Sequence, residues 1–388
     1  MSFQSVLHVV NMQLNFLAKF GIRVIHFDPK GYQFYPACPT FWSRTKIGLA
    51  ITTIIIHVLT GCHTIFLRND DRKIFVELFT TAFAPGLVIS SSILCYPKTF
   101  VYLMNTMLHF EDKCFQKMGY PPICEIAFLS QWSLALRMCA WSSLLISAFV
   151  PFGMVMITFY NPNIPPFIGS LLPTWSEDAT LSVVFLHMAV ILFQAWVFYA
   201  LSIAICLNVG QILFAILLHV TMYTTALSRF LKFSSTKLTK IPVIFYQQLE
   251  IVVLHINLSY RRIVLPAILF YAVSVNVFCT YLTLANKLDL LEHIGNAIFP
   301  IMAAETGLAL FGFGLIAALA NKRSSRCINQ MKSAPSSKAF RDGVILKKTV
   351  GGLVPLKIRY GNNFVSVYSP LVMNAFCTKG TARLLIMD

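Results

Sequence analysis

What most constrains this chain is the way its basic residues are sorted between apolar stretches. Long hydrophobic runs occupy about 47–67, 74–96, 134–160, 180–206, 263–285 and 297–320, with a weaker one at about 366–387. The segment before the first run carries five bases (Lys19, Arg23, Lys30, Arg44, Lys46), and the one after the second carries four (Lys98, Lys113, Lys117, Arg137). Six follow the fourth run (Arg229, Lys232, Lys237, Lys240, Arg261, Arg262), and ten lie from Lys322 to Arg359. The alternate segments hold only Arg68, Arg72, Lys73 and Lys287, and 161–179 has none. Basic loops are retained on the cytosolic side of a membrane, so the amino terminus and the even-numbered loops are predicted inside. An odd number of spans then leaves the carboxyl terminus outside. The expected fold is an all-α membrane protein with seven transmembrane helices.

Composition agrees. With 57% hydrophobic residues, 12% charged residues and a mean hydropathy of +0.70, the chain is no ordinary soluble domain. Runs of about 20 apolar residues suffice to cross a hydrocarbon core of ~30 Å. A net charge of +16 suggests nucleic acid in a soluble protein. Here it reads as a topology signal reinforced by anionic membrane lipid, and no nucleic-acid partner is expected. At the start of the amino-terminal region 1–46, the first 20 residues lack a basic n-region and a small-residue cleavage site, so no signal peptide is expected. Phe3, Val6, Leu7, Val10, Leu14 and Leu17 fall at helical spacing, which predicts an amphipathic helix on the cytosolic interface or on the bundle.

Within the core region 47–320, the stretch from Thr180 to Ser228 has no Lys or Arg, and its apolar character reaches Val220. A helix that long is about 60 Å, twice the membrane thickness. Either two spans turn around the polar group Asn208, Gly210 and Gln211, or one span runs on into the cytosol. The hairpin would put the bases of 229–262 outside, so the extension is preferred. Leu249, Val252, Val253, Ile256, Tyr260 and Ile263 form one apolar face of a following helix, opposite Gln247, Gln248, Glu250, Asn257 and Arg261. Two inward extensions, covering about 206–262, would bury these faces against each other or against another subunit. Residues 321–350 are Ser- and Lys-rich and read as a flexible cytosolic linker. A pre-helix segment and a last helix fill 351–388. No internal repeat points to an inverted-repeat transporter, the main alternative of another class.

Chemistry-bearing residues are few. The ten cysteines form no CxxC and no zinc spacing, so no metal or other cofactor is expected. No P-loop, HExxH, nucleophile elbow or paired-carboxylate motif is present, and no enzyme activity is expected. Glu77 and Glu305 lie in apolar spans, where a charge costs at least about 2.5 kcal/mol and so usually faces a cavity or a partner. His187, Gln194, Trp196 and Tyr199 in the fourth span stand with Phe159, Tyr160, Phe278 and Tyr281 at a similar depth. Aromatic walls with a few polar groups are what small-molecule pockets use. Helix packing alone also accounts for such residues in a chain with 33 Phe. The sequon at Asn257 falls in a predicted cytosolic helix, where glycosylation does not reach.

Three features together resemble the arthropod odorant and gustatory receptor superfamily over essentially the whole length. One is the inward amino terminus. Another is the long fourth helix, FQAWVFYALSIAICLNVGQILFAILLHVTMYTTAL, containing Gln211 and His219, followed by QQLEIVVLHINLSYRRI with His255. The third is the ending, PLKIRYGN and a modest terminal helix. The Thr-Tyr…Gln-Phe pattern of gustatory members is absent; Asn374, Ala375 and Phe376 stand nearest. The resemblance implies a chemosensory, poorly selective, ligand-gated cation channel in the plasma membrane. It further implies a homo- or hetero-tetramer, and a small-molecule pocket in the outer half of each subunit. The inward helices, with Leu249, Val252, Val253 and Ile256, would anchor the subunits, and the last helix would line a central pore. In that helix Lys379, Arg383 and Met387 share one face, while a neighbouring register offers Thr378, Ala382 and Leu385. Basic rings disfavour cations, so either the basic face points to lipid with its side chains snorkelling, or Thr378, Ala382 and Leu385 line the axis, or the subunit is a non-conducting member of a mixed channel.

Overall fold

The structure is a computed structural model that describes residues 4–67, 73–112, 126–175, 180–233, 240–285, 297–335, 340–366 and 368–387. It is an all-helical bundle with two small antiparallel hairpins. Helix α1 (Gln4–Lys19) precedes the hairpin β1 (Ile25–Asp28) and β2 (Gln33–Pro36), then α2 (Phe41–Leu67), α3 (Lys73–Leu94) and α4 (Pro97–His109). There follow α5 (Ile126–Tyr160), α6 (Leu181–Cys206), α7 (Ile216–Phe233), α8 (Lys240–Tyr260), α9 (Val264–Ala285) and α10 (Ile298–Ser333). The chain ends with α11 (Phe340–Gly352), the hairpin β3 (Arg359–Tyr360) and β4 (Asn363–Phe364), and α12 (Ser369–Met387).

The amphipathic reading of the amino terminus has a definite outcome. Val6, Leu7, Val10, Leu14 and Leu17 are buried, and α1 lies against α5 and α6 rather than on a lipid surface. It stops at Gly21, whose φ of 80° is the left-handed conformation that glycine adopts freely. There the Gly21 and Ile22 amides close on the Ala18 and Leu17 carbonyls. The hairpin that follows, β1 paired with β2 from Ile25↔Pro36 to Asp28↔Gln33, was not foreseen. It docks on α4, where Asn105 both accepts from the Phe34 amide and donates to the Phe34 carbonyl, each at 2.8 Å.

The fourth span and its extension are one continuous helical run. Between α6 and α7, residues Leu207–Ala215 are wound as a π-helix, so the polar group at 208–211 loosens the helix instead of reversing it. Asn208 is wholly buried and explains the polarity. Its Nδ2 donates to the Ile89 carbonyl at 2.7 Å and to Ser92, while Oδ1 accepts from the Tyr260 hydroxyl. One side chain thus joins α3, the π segment and the end of α8.

Among the described residues seven helices qualify as spans by length and apolar composition: α2, α3, α5, α6 with the start of the π segment, α8, α9 and α10. Helix α8 qualifies and α12 does not. Helices α8 and α9, from Lys240 to Ala285, are separated by three residues; together they run to about 70 Å, more than twice a hydrocarbon core. Helix α8 packs on α4, α7, α11 and β3, all flanked by charged residues, whereas α12 packs on α9 and α10. We therefore read α12 as the seventh span and α8 as lying beyond the membrane.

The segment 321–350 departs from expectation. It is not a flexible linker over its described part, because α10 continues through Ser333 and α11 begins at Phe340. Ser324, Cys327, Ile328 and Met331 are buried, giving the polar half of α10 a core face that its Ser and Lys content concealed. The return strand after α11 is stitched down by side chains. Ser324 accepts from the Leu356 amide at 2.9 Å, and Tyr246 donates to the Val354 carbonyl at 2.8 Å. Asn257 donates to the Lys357 carbonyl and accepts from the Arg359 amide, both at 2.8 Å. The sequon asparagine is therefore committed to backbone pairing.

Candidate functional site

The two main hydrophobic cores leave a space between them, with a small third cluster of Ala272, Leu310 and Cys377 beside it. The larger gathers α1, the first hairpin, α4, the π segment, α7 and α8 at the end of the molecule rich in basic loops. The smaller, at the opposite end, contains Phe79, Met154, Phe167, Phe198, Phe299 and Met302. Between them α3, α5, α6, α9 and α10 surround a cavity of about 480 Å³. That is the size of a typical small-molecule site. Phe79 and Phe83 come from α3, Met154 and Pro151 from α5, Phe198 and Leu201 from α6, Tyr271 and Val275 from α9, and Met302 and Phe313 from α10. Ser142, Ser143, Ser202 and Thr306 add hydroxyl groups, and Glu305 is the sole carboxylate among the lining residues.

The carboxylate is placed by its neighbours. On α9, Asn276 Nδ2 donates to the Ala303 carbonyl at 2.8 Å and to Thr306 Oγ1 at 3.3 Å, locking the α10 turn that carries Glu305. The hydroxyl of Thr306 meanwhile donates to the Met302 carbonyl at 2.6 Å. These bonds engage Asn276 and Thr306, while the Tyr271 hydroxyl and the Cys206 and Cys279 thiols line the cavity near the acid. Glu305 Oε2 has no accessible surface and no hydrogen-bond partner among the described residues.

Other residues predicted for a pocket are distributed differently. Glu305 alone of the ten lines the cavity. His187 is buried, with Nε2 2.8 Å from the Pro173 carbonyl, and it holds the loop after α5. Gln194 Nε2 lies 3.5 Å from His57 Nε2, and His57 Nδ1 is 3.0 Å from the Pro166 carbonyl. Tyr199 stacks on Phe20, and Trp196 donates to the Phe20 carbonyl at 3.1 Å, so both brace the amino-terminal segment. Phe159 and Tyr160 are exposed at the end of α5; Glu77 is half-buried on α3. Phe278 and Tyr281 belong to the smaller core. The cavity's own aromatic wall was missed because a Phe facing a void and a Phe facing a neighbour look alike in an apolar run. His57 was missed as well: it is buried in α2 with rings of Phe83, Phe167 and Phe198 within 5.1–5.8 Å.

The stripe Leu249, Val252, Val253 and Ile256 is buried inside this one chain, so it offers no free face to another subunit. Its counterpart on α7 includes Tyr223, whose hydroxyl donates to Glu111 Oε1 at 2.7 Å. His219 lies one turn earlier, and burial lowers its pKa from the ordinary histidine value, Glu111 opposing. Helix α12 turns Cys377 and Thr381 toward the bundle and fits Pro370 against Gly314, where an added Cβ would stand 2.6 Å from the proline Cγ. Thr378, Ala382 and Leu385 are exposed, and so are Lys379 and Arg383. The two sets occupy adjoining flanks about 100° apart. Among the described residues no group of three His, Cys, Asp or Glu stands close enough to hold a metal ion.

No family model and no curated protein sequence matches the chain. Solved structures do. The chain superposes on the insect olfactory receptor OR5 from Machilis hrabei with a TM-score of 0.68 at 14% identity, covering 100% of this chain and 99% of that one. The same receptor in complex with eugenol superposes with a TM-score of 0.63 at 15% identity, covering 98% and 97%. The fold is that of a seven-helix insect olfactory receptor from end to end.

Proposed function

We propose that this chain is a chemosensory receptor subunit of the insect odorant and gustatory type, a multi-pass protein of the plasma membrane that opens a cation pore when a small molecule binds. What carries the reading is one coincidence. A fold matched over its full length by an olfactory receptor contains, between its two cores, a cavity of ligand size walled by aromatic and aliphatic side chains. The similar receptor has been solved with eugenol, a small aromatic molecule. In this reading the basic end is cytosolic, four copies or related subunits assemble about an axis, and α12 lines the path. The exposed outer surface of α12 supports that role, since a helix packed on one side only needs lipid or neighbouring subunits on the other.

Voltage clamp of the chain, alone and with a related subunit, under a panel of small apolar odorants tests the function. Ligand-evoked cation current is the expected result, and silence in every combination would refute it. Orientation is tested separately. A tag before residue 1 is expected to be reached by antibody only after permeabilisation, because the basic loops flank that end. A third test concerns the pore face. If Thr378, Ala382 and Leu385 line it, Lys379→Gln with Arg383→Gln leaves reversal potential and unitary current unchanged. A marked rise in cation current would instead put the basic flank on the axis.

A further inference from the structure

The cavity is apolar almost throughout, yet it contains one acid. A carboxylate in hydrocarbon surroundings ordinarily has a cationic partner or a set of donors. Among the described residues Glu305 Oε2 has neither, and Asn276 already engages Ala303 and Thr306 on α10. The side-chain hydrogen bonds from α9 to α10 near Glu305 run from Asn276 to the Ala303 carbonyl and to Thr306, not to the acid. Glu305 lines the cavity, so a rotation of its carboxyl group would present Oε2 to what enters.

We propose that this site takes hydrophobic amines, with the ligand's ammonium group paired to Glu305 and its apolar body against the aromatic wall. The inference rests on the reading of the cavity as the ligand site and adds the chemical class. Two features favour an ammonium over a neutral donor. Phe79, Phe83, Phe198, Phe299 and Phe313 line the same space, and aromatic faces attract cations when water is excluded. A charge-assisted hydrogen bond is also about twice as strong as a neutral one, and it is worth most where the unpaired acid is most costly. The walls limit the body to a compact one: about 480 Å³ admits a ring with a short chain.

The test uses purified full-length protein and two matched probes, 2-phenylethylamine and 2-phenylethanol, with binding measured by thermal stabilisation and by titration calorimetry. Wild type is expected to bind the amine at least tenfold more tightly than the alcohol. Glu305→Gln keeps the shape and a polar group but removes the charge. It should cost the amine at least tenfold, leave the alcohol within about twofold, and erase the preference. Glu305→Asp should retain a reduced preference. Equal binding of the two probes by wild type overturns the amine assignment, as does an amine affinity untouched in Glu305→Gln. A cavity-filling Gly86→Trp separates this from the underlying reading. If both probes still bind that variant, the cavity is not the ligand site, whatever Glu305 does. If both are lost there while Glu305→Gln discriminates, both statements stand.

Discussion

Val253→Asp is expected to abolish the folded protein, while Leu258→Asp on the same helix leaves it intact. Val253 is 3% exposed in the larger core, between α8 and its neighbours, and no cation faces it from its own turn or the adjacent ones. An uncompensated carboxylate there costs roughly 3–5 kcal/mol, a large share of the 5–15 kcal/mol that holds a typical domain together. Leu258 is 67% exposed on the opposite face. In water its replacement by Asp costs little. In lipid it would carry a penalty of about 2.5–3.5 kcal/mol. Size-exclusion profiles and thermal midpoints in detergent, together with surface levels in cells, therefore answer two questions. A damaged Leu258→Asp protein would mean that α8 crosses the bilayer after all, in spite of its place among α4, α7 and α11.

The second large effect concerns the cavity. Gly86 lies on its α3 wall, and a Cβ added there meets only Ile205 Cδ1 at 3.6 Å, an ordinary contact. The first atom of a side chain here therefore meets no clash, at a position that lines the cavity. Gly86→Trp should thus fill much of the site and cut every small-molecule response by a hundredfold or more, with surface expression near wild type. Gly86→Ala should respond normally and gain slightly in stability, since glycine inside a helix costs about 0.5–1 kcal/mol relative to alanine. Undiminished responses in the tryptophan variant would place ligand binding elsewhere in the molecule.

The sequence shows the spans clearly because bilayer crossing leaves a coarse, long signal. Each predicted apolar run falls on a helix, from α2 at Phe41–Leu67 to α12 at Ser369–Met387. The elements that escaped are those stabilised by tertiary contacts. The hairpin of β1 and β2 carries a turn signature in Asp28-Pro29-Lys30-Gly31, but its docking depends on Asn105 from α4, more than 70 positions away. The buried half of α10 beyond Asn321 looks like linker by composition because one core-facing residue in three or four is enough to hold a helix. The site divides the same way. Glu305 was recognisable because an acid inside an apolar span is rare. Its aromatic surroundings were not, since a cavity is a property of how five helices fail to meet, and no single helix encodes it.

The π segment at Leu207–Ala215 has a consequence for how the two halves of this receptor-like fold are geared. It sits where the cavity ends and the larger core begins, with Val209, Gly210 and Phe214 on the cavity wall and Asn208 pinned to α3 and α8. Because the rod from Leu181 to Phe233 is unbroken, the facing of α7 is set by the number of residues wound into that one stretch. Removing a single residue there would let the rod relax into an ordinary helix while turning everything beyond it by about 100°. Tyr223 would swing away from Glu111, and His219 would leave its buried position. The π segment therefore acts as an angular spacer. It sets the phase between the wall that a ligand would touch and the base on which the rest of the molecule rests.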